Sequence, residues 1–306
     1  MIDNFTQGFF EDEVREGFFI EKKMKSAWAA QMEVLVEIDR ICKKHNIQYF
    51  AGFGTLLGAI RHKGFIPWDD DMDILMLRKD YERFIRVVND ELPGDWLFLN
   101  TFHGRRKGWR QVFSRVTNSD RINTGKEHLL RFHGCPYIVG IDLFPVDILP
   151  ADKEEEKVLY EVLVQLFRTM YLIRSEAASE IIEDCLKSIE LYCDIKIMRE
   201  ADVLEQLIYV SDNLLSMYQN EEKGELALFS WGLEQDKRYQ FKREWFEDSM
   251  IVSFENISIP VPVRYKEVLT AFYGEDYMTP RQFVAGHDYP FYKEQEEELA
   301  RLRMKE

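Results

Sequence analysis

Asp71 and Asp73 stand two residues apart in the run Asp69-Asp70-Asp71-Met72-Asp73-Ile74. Side chains two apart on a strand project from one face, so both carboxylates meet on the same side of a sheet. At that spacing like charges repel unless a cation lies between them. Oxygen-only donors suit Mg2+ or Mn2+, and Mg2+ takes few protein carboxylates and fills its shell with water and substrate phosphates. Such an ion can bridge the phosphates of a donor and polarise the oxygen being displaced. An isolated D-x-D reads more readily as a charged turn before a strand. Here Pro67-Trp68 precedes the run, and Met72 and Ile74 alternate with Asp73, a pattern that favours a metal centre.

Upstream, Gly52-Phe53-Gly54-Thr55 carries an apolar strand into a glycine and a hydroxyl at the start of a short helix. Free backbone N–H groups at such a terminus receive phosphate. Gly54 permits close approach, Thr55 adds a hydroxyl, and Arg61 or Lys63 adds charge. The competing reading makes Thr55 an ordinary helix cap. A metal cage needs a third carboxylate from another strand, and Gly140-Ile141-Asp142-Leu143-Phe144-Pro145-Val146-Asp147 offers two. Asp142 lies inside an apolar strand, where an unpaired charge is costly, and it is the preferred ligand. Asp147, after Pro145, reads as a turn residue.

The elements that must hold these groups are legible in periodicity. Trp28, Met32, Leu35, Val36, Ile38, Ile41 and Cys42 recur at helical steps from Lys23 to Asn46. A strand is expected over Ile47–Phe53, a short helix over Thr55–His62, a strand over Met72–Leu77 and a helix over Lys79–Asn89. Trp96–Phe102, Val112–Val116 and Tyr137–Val146 are expected to complete a mixed sheet. After Pro150 the composition turns helical. An acidic start at Asp152 opens a helix with its apolar face on Val158, Val162, Leu166 and Met170, and further helices follow over Ser179–Tyr192 and Ala201–Tyr218. A strand pair turned at Glu255-Asn256, a helix over Val263–Tyr273 closed by Gly274, and a solvated helix around Glu294–Glu298 end the chain. The expected fold class is α/β (α+β), a mixed sheet flanked by helices with a helical insertion or cap. The expected units are 1–150 (catalytic core), 151–248 (helical insertion) and 249–306 (a segment returning to the core).

The 306 residues are 46% hydrophobic and 14% aromatic, far too rich in packing material for a disordered chain. A net charge of −15 repels nucleic acid backbones. The basic stretch from Gly104 to Arg121 suits one small anion or a solvated loop. Cys42, Cys135, Cys185 and Cys193 follow no paired spacing and read as reduced, buried thiols. Residues 1–17 lack the features of a signal peptide, and no stretch approaches the roughly 18 apolar residues that span a bilayer. A cytoplasmic protein is expected, leaving only peripheral membrane contact open.

At these residues the chain resembles the LicD family of phosphocholine transferases, which includes fukutin-related proteins and has a polymerase-β-like nucleotidyltransferase fold. Three segments carry the likeness: Glu37 to Ile74, Gly140 to Asp147, and Pro262 through Tyr273-Gly-Glu-Asp-Tyr-Met-Thr-Pro. The resemblance implies a nucleotidyltransferase-like core, a CDP-linked donor such as CDP-choline, a divalent metal, and a hydroxyl of a cell-surface glycan or glycolipid as acceptor. It maps the paired aspartates to Asp71 and Asp73 and the glycine-hydroxyl turn to Gly54 and Thr55. Arg115-Val116-Thr117-Asn118 stands where the family pattern has a Lys-Ile-Arg-Asp-like strand, so Arg115 keeps the basic phosphate contact while its neighbours differ. Glu275-Asp276 adds a residue to the pattern around Tyr273-Gly274. For a cationic head group, aromatic faces are required. Trp68 adjoins the aspartates, and Tyr289, Phe291 and Tyr292 cluster near His287, which is a candidate substrate contact or a plain surface histidine. An NTP-using nucleotidyltransferase and a catalytically silent binding protein are the rival readings.

Overall fold

The computed structural model describes residues 2–6, 8–232, 239–282 and 289–303. A hairpin of β1 (Glu13–Arg15) and β2 (Phe18–Ile20) leads into α1 (Lys22–His45), which ends where Asn46 turns left-handed at φ 51°. Then come β3 (Phe50–Ala51), α2 (Phe53–Arg61), β4 (Asp73–Leu77), α3 (Arg78–Glu91), β5 (Leu97–Leu99), β6 (Ser114–Thr117), α4 (Lys126–Arg131) and β7 (Gly140–Ile148). The helices α5 (Lys153–Arg174), α6 (Ser179–Cys193) and α7 (Val203–Ser216) follow, then β8 (Leu226–Leu228), α8 (Phe229–Gly232) and β9 (Tyr239–Phe241). A hairpin of β10 (Ser249–Phe254) and β11 (Ile257–Pro262), α9 (Tyr265–Tyr273) and α10 (Lys293–Arg303) close the chain.

The main sheet runs β3-β4-β7-β6-β5 and is extended by β8 and β9 beyond β7. β4 pairs in parallel with β7, whereas its contact with β3 and those of β7 with β6 and β8 are antiparallel. This is the mixed sheet of an α+β nucleotidyltransferase-like fold. β4 and β7 are buried along most of their length, which explains their near-continuous apolar sequence. Pro145 sits mid-strand in β7 without losing a ladder bond. The Asp142 N–H points to β4, donating to Met72 O at 3.2 Å, so by alternation the position of Pro145 faces the other neighbour. There the β6 pairing stops at Leu143 and the β8 pairing starts only at Asp147.

Alternation also sorts the faces. Asp73, Leu75, Asp142, Phe144 and Arg115 share one face, and Ile74, Met76, Leu143, Asp147 and Ser114 share the other. α3 covers the second face, joining its Tyr81 hydroxyl to Ser114 Oγ at 2.5 Å. The first face meets the start of α2 and α9 through Phe53 and Phe272. A second apolar cluster, built by α5, α6 and α7, packs against Leu149, Ala227 and Phe229. Among the described residues no helix is long and apolar enough to cross a membrane.

Several expectations shift. On α5 the buried face is Leu159, Leu163, Leu166, Phe167 and Met170, while Val158 is 59% exposed. One residue of rotation is invisible when valines and leucines alternate. The strand expected at Trp96–Phe102 shrinks to β5 because Asn100 Oδ1 accepts the N–H groups of Phe102 and His103, both at 2.9 Å, and so turns the chain. The first strand keeps only Phe50–Ala51, and β6 begins two residues later than expected. β8 and β9 lie inside the stretch read as helical. All four cysteines are free, with Cys42 and Cys135 buried and Cys185 and Cys193 half-buried.

Asp147 is not a turn residue. Its carboxylate accepts from Arg78 Nε at 2.6 Å, both side chains being almost wholly buried, and Arg78 Nη1 also reaches Asp212 at 2.8 Å. Removing one member of such a pair strands the other charge, at a cost of roughly 3–5 kcal/mol. Asp147→Ala is expected to lose stability on that scale in denaturant unfolding, and Arg78→Met/Asp147→Leu to recover most of it. A loss below about 1 kcal/mol would show that Asp212 alone satisfies Arg78.

Candidate active site

The acidic run is held from behind by backbone contacts. Ile66-Pro67-Trp68-Asp69 forms a turn closed by Asp69 N–H donating to Ile66 O at 2.9 Å, with proline in its favoured second position. α1 then grips the next two carbonyls: Trp28 Nε1 donates to Asp69 O at 3.1 Å and Gln31 Nε2 to Asp70 O at 2.6 Å. At the start of β4, Thr55 Oγ1 accepts the Asp73 N–H at 2.8 Å, and Gly52 N–H donates to Asp73 O at 2.9 Å. The buried Thr55 therefore fastens α2 to the strand that bears the carboxylate.

The carboxylates converge. Oxygens of Asp69, Asp70 and Asp71 lie within 4.8 Å of one another. Asp73 stands opposite Asp142 in the β4–β7 register. Burial first, then Asp71, Asp142 and Asp69, push the Asp73 carboxyl well above its ordinary value. Asp69 is raised likewise by burial and by Asp71, with which it shares a hydrogen bond. Asp142, 8% exposed, is held bidentately by Arg115, whose Nη2 lies 2.6 Å from Oδ2 and whose Nε bonds Oδ1. Burial opposes the charge of Arg115, but Asp142, Asp71 and Asp73 outweigh it and raise its pKa.

The expected residues divide. Gly54, Thr55, Asp71, Asp73, Arg115 and Asp142 are brought to one end of one sheet face. Gly54 meets Asp69 there: a Cβ at position 54 would collide with the Asp69 carboxylate. Arg61 lies roughly 9 Å along α2 from Thr55, and Lys63 follows the end of that helix. Arg61 Nη1 donates to Tyr277 O at 2.9 Å, and Lys63 Nζ returns to Ile60 O at 3.3 Å, so both serve loop structure at the far end of the helix. Trp68 packs edge-on to Phe18 at 6.3 Å, and Phe18 also meets Tyr289 at 5.9 Å. Phe291 N–H donates to Asp70 Oδ2 at 2.6 Å, and Tyr292 stacks on Tyr137 at 4.8 Å. His287 lies outside the described residues. Two clefts of about 560 and 470 Å³, one lined by Arg78, Asn100 and Asp212 and the other by Asp39, Asp80 and Ile251, hold none of the site carboxylates.

Two participants escaped sequence reasoning. Asp69 was visible in the run but not distinguished from its neighbours. Tyr273 ends α9, and burial, followed by the charges of Asp69 and Asp73, raises its hydroxyl pKa well above the ordinary value. Its signal was the Tyr273-Gly274 step in the third segment of resemblance.

Fold and site together define a nucleotidyltransferase-type α+β protein with a carboxylate centre. Residues 46–133 match the family model described as LicD/FKTN/FKRP, nucleotidyltransferase domain. The chain is 52% identical over 133 residues to the lipopolysaccharide cholinephosphotransferase LicD of Haemophilus influenzae, covering 43% of this chain and 46% of that protein. It is 38% identical over 68 residues to an uncharacterised protein of Rickettsia typhi, covering 22% of this chain and 21% of that one. The matched stretches thus span less than half of each relative. The family match contains Gly54, Thr55, Asp71, Asp73 and Arg115 and stops short of Asp142.

Thr55→Val keeps the shape but leaves the Asp73 N–H unpaired, a penalty of roughly 1–3 kcal/mol. A fall in thermal midpoint is expected for Thr55→Val and little change for Thr55→Ser. Equal midpoints for both would remove the hydroxyl from its anchoring role.

Proposed function

We propose that this chain transfers phosphocholine from CDP-choline to a hydroxyl of a cell-surface glycan or glycolipid precursor. The carrying observation is the register that sets Asp73 of β4 opposite Asp142 of β7, beside the clustered Asp69–Asp71 oxygens. The name of the Haemophilus influenzae relative supports the head group and the kind of acceptor.

The donor set fits a divalent cation. It is all carboxylate oxygen, and Asp69 and Asp73 are pushed toward their neutral forms by burial and by the neighbouring charge of Asp71, a strain that a cation relieves. Asp71, Asp73 and Asp142 would hold Mg2+ or Mn2+. The bound ion would supply charge neutralisation on the donor phosphates and the departing oxygen. The chain does the positioning. Arg115 orients Asp142 and presents its positive charge to the donor diphosphate. The Gly54-Thr55 turn fixes Asp73. The acceptor oxygen attacks the phosphorus bearing choline in line, and its new P–O bond forms as the bond to the bridging oxygen breaks. The electron pair leaves on CMP, and the acceptor proton passes to a carboxylate of the cluster. Positioning and charge account for most of the rate in such transfers.

The test is a screen of CDP-linked donors with magnesium, read by mass spectrometry. CMP release supports the transferase. Pyrophosphate release from an NTP would instead make the chain a nucleotidyltransferase, and no metal-stimulated turnover with any donor would make it a binding protein. Asp71→Asn or Asp73→Asn is expected to cut turnover about a hundredfold or more with folding retained. Near-normal turnover in Asp73→Asn sinks the metal assignment.

We assign the head group to Trp68, which Phe18 meets edge-on, Phe18 in turn meeting Tyr289 edge-on. Tyr292, stacked on Tyr137, serves packing. Trp68→Ala is expected to weaken CDP-choline relative to CDP-glycerol by about 1–2 kcal/mol, the scale of one desolvated cation–π contact. Equal losses for both donors would assign Trp68 to packing.

A further inference from the structure

Beside Asp142 the site face changes from acidic to aromatic. Phe144 follows Asp142 at the same-face spacing on β7, and Phe113 precedes Arg115 at that spacing on the chain entering β6. The two rings stack at 4.6 Å. Phe53 meets Phe144 at 5.2 Å and Phe272 of α9 at 4.8 Å. Trp109 completes the wall: it crosses Phe113 edge-on at 5.7 Å, its Nε1 donates to Phe113 O at 2.7 Å, and it lies 5.6 Å from the Arg115 guanidinium. Phe144 is only 3% exposed, but Trp109, Phe113, Phe53 and Phe272 are half-buried. Arg115 is 40% exposed at its side chain.

We propose that Trp109 and Phe113 form the stacking platform for the planar base of the nucleotide donor. The proposal rests on the donor reading above and deepens it. Charge selects the occupant. A quaternary ammonium on Trp109 would share the ring with the Arg115 guanidinium, and like charges within about 6 Å repel. A neutral base meets no such penalty, and its attached phosphates gain the cation. The platform is also continuous with the carboxylates, through Asp142, Arg115 and Trp109 in sequence of contact. The Phe18, Trp68 and Tyr289 group stands on the Asp69–Asp70 side instead. The donor therefore lies with its base over β6 and its head group toward Trp68.

The experiment is calorimetric titration of the full chain, in magnesium, with CMP, CDP-choline, CDP-glycerol, ribose 5-phosphate and pyrophosphate. Losing one base–aromatic stack weakens binding by roughly five- to a hundredfold. Trp109→Ala is expected to weaken CMP, CDP-choline and CDP-glycerol by the same factor in that range. Ribose 5-phosphate and pyrophosphate should change less than about twofold, a margin below the stacking range, and Trp109→Phe should restore most of the loss. Phe113→Leu, which keeps an apolar filler, should give the same selectivity at smaller size if Trp109→Ala fails to fold. Unchanged CMP affinity, or an equal loss for pyrophosphate, overturns the platform. Turnover of CDP-choline with Trp109-independent CMP binding overturns the platform alone. Trp109-dependent CMP binding without any transfer upholds it and overturns the reaction. Absence of CMP binding by the unaltered chain overturns both.

Discussion

Mutual repulsion among carboxylates is the constraint around which this molecule is arranged. Asp69, Asp70, Asp71, Asp73 and Asp142 gather at one end of one sheet face, where burial strengthens every charge interaction. Left to themselves they would spread apart. The neighbouring structure prevents that through backbone bonds, which no change of ionisation removes: Trp28 and Gln31 hold the carbonyls of Asp69 and Asp70, and Thr55 and Gly52 hold both ends of the Asp73 peptide unit. Asp70 is a further tether, because its carboxylate accepts the Phe291 N–H and so binds the C-terminal segment to the acidic turn. The helix α1, most of whose residues are core, is thus also the back wall of the site.

Among the described residues, positive charge near this cluster is sparse and specific. Arg115 reaches Asp142 with two bonds, and the other two basic residues expected nearby, Arg61 and Lys63, are spent on carbonyls at the far end of α2. One fixed guanidinium against several carboxylates leaves an excess of negative charge that a divalent ion suits. It also polarises the surroundings into two unlike aromatic regions. Rings next to Arg115 favour neutral partners, and those beside the acidic turn favour a cation.

The arrangement was legible in sequence where one short-range rule decided it. The α1 boundaries, the hairpin turned at Glu255 and Asn256, and the ending of α9 at Gly274 with φ 87° all follow from periodicity or from a residue that tolerates its turn. The approach of Asp73 to Asp142 was legible because a buried charge in an apolar strand has few explanations, whereas Asp71 precedes β4 and reaches the cluster from the acidic turn rather than by strand alternation. What sequence concealed was set by contacts distant along the chain. The side-chain turn at Asn100 shortened β5, the pairing of β8 to the end of β7 recruited three residues from a helical stretch, and the reach of Arg61 was fixed by the loop at Tyr277. Tyr273 gains its meaning only from Asp69, which lies far along the chain and was itself unassigned, and Trp109 only from the loop that returns its ring to Arg115.

The two aspartates of β7 show how little separates these outcomes. Asp142 and Asp147 are both almost buried in the same strand, yet five positions is an odd number, and alternation sends them to opposite faces. On one face Asp142 finds Asp73 across the parallel register and an arginine that is partly open to solvent. That pairing leaves the carboxylate at the edge of a charged cluster with room for a ligand. On the other face Asp147 finds Arg78 at the start of α3, both side chains almost wholly buried. A charge sealed with its counterion can do no chemistry, but it fixes where α3 leaves the sheet and thereby holds β4 against β7. Since the register of β4 on β7 is what brings Asp73 opposite Asp142, the buried pair on the closed face maintains the geometry of the open one.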